Sequence, residues 1–219
     1  MKYFQSLPKI ASIDYSGNLI TLTNLMVRSE IIPGLLRNPL LFYSYDIQDG
    51  DTPEIIAHKY YGDSYRYWLV LFANLIIDPQ WDWPMNPNLH QDYIVKKYTD
   101  DTANSLNTTA NTVSPTQVFS YTQSTIQNYI KSITTVDSLS SQANTSTYVI
   151  DQTAYNNTVV GSNIGTFADG TQVSETVTLY TQSIYDYEVQ QNEAKRNINL
   201  INSIYVPQIE SQFKSLMSQ

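Results

Sequence analysis

Tyr45-Asp46-Ile47-Gln48-Asp49-Gly50-Asp51-Thr52-Pro53-Glu54-Ile55-Ile56-Ala57-His58-Lys59-Tyr60-Tyr61-Gly62 decides the local fold of this chain. Asp49-Gly50-Asp51 is a turn: glycine tolerates positive φ and aspartate bonds nearby backbone amides, so a strand ending near Ile47 must stop here. Thr52 then suits an N-cap, Pro53 a first helical position where its missing N–H costs nothing, and Glu54 a favourable charge in the first turn. Pro53, Ile56, Ala57 and Tyr60 fall on one helical face and Gly62 ends the helix. After the second cap signal, Asp63-Ser64, the residues Tyr65, Trp68, Leu69, Phe72 and Leu75 form another apolar face. Val70 and Leu71 between them leave that helix apolar nearly all round, which predicts burial.

Upstream, Ile10–Ile13 and Leu19–Leu22 flank the turn Asp14-Tyr15-Ser16-Gly17-Asn18 and predict a hairpin,. Pro33-Gly34 and Asn38-Pro39 break the chain, and Leu40–Ile47 reads as the strand feeding the quoted segment. Downstream, three prolines between Pro79 and Pro87 argue against regular structure, while Trp81 and Trp83 are large enough to pin the loop by their indoles,. A short helix is expected over Leu89–Tyr98, with Lys96 and Lys97 where the helix dipole favours cations.

Composition shifts at Thr99. Of residues 101–180, 36 are Ser, Thr or Asn and Lys131 is the one basic residue, which disfavours a helical bundle laced by charge pairs. Recurring Phe119, Tyr121, Ile126, Tyr129, Ile130, Ile133, Val136, Tyr148, Val149 and Ile150 disfavour a solvated linker. Paired strands over 129–136 and 146–151 are expected, and a hairpin turn at Asp169-Gly170; Ile126, Ile130 and Ile133 also fit helical spacing. Towards the C-terminus, Ile184–Val189 and Ala194–Ile201 read as two strands of a hairpin, with a helix through Ala194, Ile198, Ile201 and Tyr205 as the competing reading. Pro207 opens a final amphipathic helix carrying Ile209, Phe213, Leu216 and Met217 on one face.

The 219 residues suffice for one or two domains, and the net charge of −8 disfavours nucleic acid and anionic membranes as partners,. With no cysteine there is neither a disulfide scaffold nor a thiolate metal site,. The N-terminus lacks the apolar core of a signal peptide, and no run approaches the roughly 20 apolar residues of a membrane span. The 18 tyrosines fit either interfaces or half-buried strands. His58 and His90 are too few and too far apart for a metal site, and His58 sits as an i, i+4 partner of Glu54. Asp46, Asp49, Asp51 and Glu54 raise the thought of a glycosidase, but turn and helix start already account for three of them. No catalytic residue, cofactor or metal is assigned. The candidate protein-interaction residues are Tyr60, Tyr61, Tyr65, Tyr67, Trp68, Trp81, Trp83, Tyr205, Ile209 and Phe213.

Two resemblances rest on these residues. Tyr45–Gly62 with Asn74 resembles a LysM module, a βααβ fold known for binding N-acetylglucosamine polymers, although Asp78–Pro84 stands where that pattern places its closing strand. More of the chain is similar to the LysM-bearing baseplate wedge protein of contractile-tailed bacteriophages: Met1–Ile10, Asp49–Gly62, Tyr67–Leu71, Ile76–Pro79 with Trp83-Pro84, and Asn192–Ile198 with Tyr205-Val206-Pro207. The resemblance implies a non-enzymatic virion protein of the tail baseplate, assembled in host cytoplasm. Its partners would be other wedge subunits and neighbouring wedges, which it helps join into a ring around the tail hub. A sugar-binding module is the alternative, and a wall hydrolase a more remote one; neither glycan, membrane nor nucleic acid is the expected partner. The expected class is α+β: an extended N-terminal arm (1–42), a LysM-like βαα(β) domain with its aromatic loop and short helix (43–98), a β-rich Ser/Thr/Asn insertion (99–182), and a C-terminal hairpin plus helix (183–219).

Overall fold

A computed structural model describes residues 2–27, 29 and 39–217. The expected break at Pro33-Gly34 lies outside them. The fold is α+β, and the chain divides into two units: residues 1–86 with 193–219, and residues 87–192.

In the first unit, β1 (Lys9–Ile13) and β2 (Leu19–Thr23) form the expected antiparallel hairpin, paired from Lys9 with Thr23 to Ile13 with Leu19. Its turn is held by the Asp14 carboxylate, which accepts from the amides of Ser16 and Asn18. The segment around Gly50 (φ 87°) links β3 (Phe42–Asp46) to α1 (Pro53–Tyr61). Thr52 accepts from the Ile55 amide at 3.3 Å, and Gly62 closes α1 in the left-handed region,. Asp63 then caps a tight turn into α2 (Tyr67–Ala73), where Trp68, Leu69, Val70 and Ala73 are buried and Leu71 and Phe72 half-buried, whereas Tyr65 and Leu75, expected on the same buried face, fall outside the helix and are exposed,. The proline-rich loop is not wholly irregular: Asp78 caps a single helical turn, α3 (Pro79–Asp82), because Pro79 occupies a first-turn position where it is tolerated,.

The second unit opens with α4 (Pro87–Ser105) and α5 (Pro115–Ser124). α4 runs past the compositional boundary at Thr99, its Thr99 and Thr102 hydroxyls donating to the carbonyls of Val95 and Tyr98 four residues earlier,. α5 begins with a capping box between Ser114 and Gln117,. A four-stranded antiparallel sheet follows in the order β5-β4-β7-β6, built from β4 (Ile126–Asp137), β5 (Ala143–Ile150), β6 (Gly161–Thr166) and β7 (Gln172–Ser183), with the helix α6 (Gln152–Asn157) between β5 and β6. Both expected hairpins are present, and Ile126–Ile133 is strand.

The expected C-terminal hairpin does not form. Ile184–Ala194 is a helix, α7, with Ile184, Glu188 and Asn192 buried at intervals of four. The Ser183 hydroxyl accepts from the Asp186 amide and donates to the Asp186 carboxylate, a helix-start signal that outweighs the β-formers behind it,. The second segment is a strand, β8 (Asn197–Ile201), but its partner is β3, paired antiparallel from Phe42 with Ile201 to Asp46 with Asn197. The last helix, α8 (Val206–Met217), then lays Val206, Phe213 and Met217 into one core with Leu7, Ile47, Ile56, Ala57, Trp68, Leu69, Ile198, Leu200 and Ile201. The N-terminal turn joins it: the Tyr3 ring lies 5.8 Å from that of Trp68, 5.2 Å from Phe213 and 5.7 Å from Phe72.

The terminal helix is therefore part of the first unit's core. Replacing Phe213 by alanine should lower stability by about 3 kcal/mol or more, read as a fall in the denaturation midpoint, and truncation before Val206 should leave the first unit unfolded.

Candidate assembly surface

The first unit is organised by a polar knot at its turn. The buried Asp51 carboxylate accepts from Lys59 Nζ at 2.6 Å, the Tyr45 hydroxyl at 2.7 Å and the Gln48 amide at 3.2 Å, while its main-chain carbonyl accepts from Trp83 Nε1 at 3.0 Å. Burial on its own would raise the Asp51 carboxyl; the Lys59 and Tyr45 hydrogen bonds outweigh it and hold the group below its ordinary value,. The same bond, with burial behind it, pushes the Tyr45 hydroxyl up to about 12. A carboxylate so committed stays ionised, the opposite of the general acid a glycosidase needs.

Two further clasps hold β8 in place. Asn74 acts as a substitute peptide group: its amide nitrogen donates to the carbonyls of Val70 (2.8 Å) and Asn199 (2.9 Å), and its oxygen accepts from the Asn199 amide at 2.7 Å. Arg196 donates to the Ile47 carbonyl at 3.1 Å and to Asp49 at 2.8 Å, and pairs with Glu193. At the other end, Arg66 bonds both the Tyr61 carbonyl and Glu210 of α8 at 2.9 Å. In the second unit a separate latch joins α4 to α7: buried Glu188 accepts from Lys97 at 2.7 Å and from the Tyr98 hydroxyl at 2.6 Å.

The aromatic and apolar residues singled out from the sequence divide by burial. Tyr61, Trp68 and Phe213 are buried in the core; Tyr60, Tyr67, Trp83, Tyr205 and Ile209 are half-buried against it. Tyr60 stacks on Tyr43 at 5.8 Å. Tyr65, with Lys2 Nζ 4.7 Å above its ring, and Trp81 remain exposed. Leu75 and Ile77 are exposed beside them in sequence. Trp81, Ile77 and Leu75 sit on one short, rigid loop. The Asp82 carboxylate accepts from the amides of Ile77 and Asp78, Asp78 accepts from Gln80, and Lys195 donates to the Trp81 carbonyl. Leu75 is held at φ 54°, a left-handed conformation a leucine adopts only when its surroundings impose it,. Asp51, Asn74, Arg196 and the Leu75–Ile77 pair were not read from the sequence as site residues. The positive φ at Leu75 has no sequence signal; the Asn after an apolar helix did offer one, as an amide that caps its C-terminus.

Among the described residues no group of three or more His, Asp or Glu is placed to hold a metal ion, and no helix is long and apolar enough to cross a membrane. The first unit thus joins β3, α1, α2 and β8 through the hydrogen bonds of Asp51, Asn74 and Arg196, and leaves Leu75 and Ile77 exposed between α2 and α3 and Trp81 exposed on α3. Residues 38–105 match the family model described as base plate wedge protein 53. Over that stretch, which spans β3, α1, α2, the rigid loop and α4, the chain is similar to phage base plate wedge proteins, and the match supports a structural role in a phage baseplate. No curated protein matches the chain.

The Asp51 knot has a defined pH signature. Its carboxyl is depressed in the folded state, so its contribution is complete above the ordinary value of 3.8 and is lost as pH falls through the lower folded value,. Asp51→Asn should cost roughly 1–3 kcal/mol at pH 7, and the variant's stability should fall less steeply than wild type below pH 4, measured by denaturant titration at several pH values. Asn74→Asp, which exchanges a donor for a second acceptor facing two carbonyls, should destabilise by a similar amount while Asn74→Ala leaves the same groups unpaired.

Proposed function

We infer that the chain is a structural subunit of a phage tail baseplate wedge, binding other wedge proteins and helping to join neighbouring wedges into the ring around the tail hub. The observation that carries this reading is the position of the rigid Leu75–Trp81 loop inside the matched stretch. An exposed tryptophan flanked by exposed aliphatics on a preorganised loop binds protein with little ordering cost. In this reading β3, α1, α2 and β8 form a LysM-like βααβ body, with the closing strand delivered by residues 197–201. The body works as a rigid mount for contacts to other subunits. Tyr65 and Trp81, the exposed members of the aromatic set, are the contact residues, and the protein resides in the virion tail.

The βααβ order itself favours a second reading, a glycan-binding module. The two separate in solution. Co-expressed with the other wedge proteins of the same phage, the chain should co-elute with them on size exclusion. Trp81→Ala combined with Ile77→Ser should reduce that recovery about tenfold without lowering the melting temperature. A chain that elutes alone in every combination would overturn the wedge reading, and saturable binding to purified peptidoglycan lost in the same variant would establish the glycan reading instead.

A further inference from the structure

In the second unit β6 is an edge strand, and all six of its residues are exposed. The Phe167 amide, just beyond its end, donates across the turn to the Thr171 carbonyl. Strand alternation then turns the amides and carbonyls of Gly161, Asn163 and Gly165 towards β7, and those of Ser162, Ile164 and Thr166 away from it,. Among the described residues no strand lies on that outer side. Sheets blunt such an edge with lysine, proline or a bulge. This one has none of them: no charged residue and no proline lies between Asp151 and Asp169, and the β6–β7 register runs unbroken. Val159, Val160, Ile164 and Phe167 are exposed along the same stretch.

We propose that this edge is a self-association site, at which the β6 strands of two copies pair antiparallel about a two-fold axis and fuse two four-stranded sheets into one. The side-chain pattern selects a second copy. A two-fold pairing must set outward-facing residues against each other, and with Ile164 on the axis it sets Ile164 opposite its own copy and Ser162 opposite the copy's Thr166. On that face aliphatic meets aliphatic and hydroxyl meets hydroxyl. The other face carries Gly161, Asn163, Gly165 and Phe167 in turn. There the same register sets Gly161 opposite the copy's Phe167 and Gly165 opposite the copy's Asn163, so each glycine faces a larger side chain. The notch at Gly165 is open in the single chain, lined by Asn163, Phe167, Val173 and Glu175, and an aromatic ring laid across an edge glycine is a known stabilising pair. The neighbouring registers on either side set glycine against glycine and Ile164 against a hydroxyl. The opposite edge, β5, contains no glycine. In a chain of net charge −8, an uncharged edge is also where two copies approach without direct repulsion,. A contact one strand wide buries less than the ~1,200 Å² of a stable interface, so the dimer is weak and concentration-dependent. It is independent of the wedge reading.

The test is sedimentation of the purified full chain from about 1 to about 500 μM, a range that spans weak association. Wild type should pass from monomer to dimer with concentration. Ile164→Lys places two ammonium groups on the axis, and Ile164→Pro removes an amide that faces away from β7, so both leave the β6–β7 pairing intact. Each should stay monomeric throughout with the circular dichroism of wild type. The register is read by cysteine, because the chain has none of its own. Ile164→Cys should give a disulfide-linked dimer under mild oxidation, its two Cα atoms lying about 5.5 Å apart across the axis. Ser162→Cys, with Cα atoms about 13 Å apart, should not. A wild-type chain that is monomeric at the top of the range, a dimer that survives both Ile164→Lys and Ile164→Pro, or cross-linking through Ser162→Cys in preference to Ile164→Cys would each overturn the proposal.

Discussion

The pairing of β3 with β8 is the contact on which the first unit depends. It joins residues 42–46 to residues 197–201 across the whole of the second unit. Closing a chain of that length costs on the order of 4 kcal/mol, and the cost grows only slowly with length. Burial of Ile198, Leu200 and Ile201 on β8, and of Val206, Phe213 and Met217 behind it, offsets it, since each such side chain contributes about 1.5–3 kcal/mol,. A large insertion between second helix and closing strand is therefore thermodynamically tolerable. Its consequence is kinetic: the core of the first unit cannot be completed until the last residues of the chain are available, and non-local pairings of this kind form slowly.

The polar groups near that pairing serve it. Asn74 supplies a side-chain amide where a third strand would place a peptide group, satisfying the outer edge of β8 at Asn199,. Arg196 ties the start of β8 to the turn that ends β3, and Asp51 ties that turn to α1 and to the indole of Trp83. Through Arg196 and the Trp83 indole, two distant segments meet at the Asp49–Asp51 turn. The Gly-Asp-Thr sequence thus acts as a junction. A carboxylate already bonded to a lysine, a tyrosine and a backbone amide has little capacity left for an outside ligand, which moves the search for function from the turn to the exposed loop.

How far the sequence was legible follows the range of the interactions. Local chemistry read correctly: Thr52, Pro53 and Gly62 fix α1, the Asp14–Asn18 turn fixes the first hairpin, and Asp169-Gly170 marks the link between β6 and β7. The errors came where two local signals competed or where the partner was remote. In Ile184–Val189 the β-formers masked the Ser183–Asp186 cap, and the real burial stripe runs at intervals of four through Glu188, a charge that reads as surface until Lys97 and Tyr98 are seen beside it. In Asn197–Ile201 the alternation was legible as a strand, but alternation carries no information about which of several strands lies opposite. For the site, ring chemistry could not separate core from surface: Trp68 and Trp81 each follow an Asp-capped turn, and only the first sits among Tyr3, Phe72 and Phe213.

The division between a rigid body and wet apolar appendages has its own physical logic. Affinity gained by burying apolar surface is diminished by whatever must be ordered on binding. The Leu75–Trp81 loop avoids that loss, because the Asp78 and Asp82 carboxylates and Lys195 already hold its backbone. The β1–β2 ribbon is likewise preset in shape, by five cross-strand pairs and a turn closed on Asp14. Both elements emerge from one body whose core also gathers the N-terminal turn and the C-terminal helix.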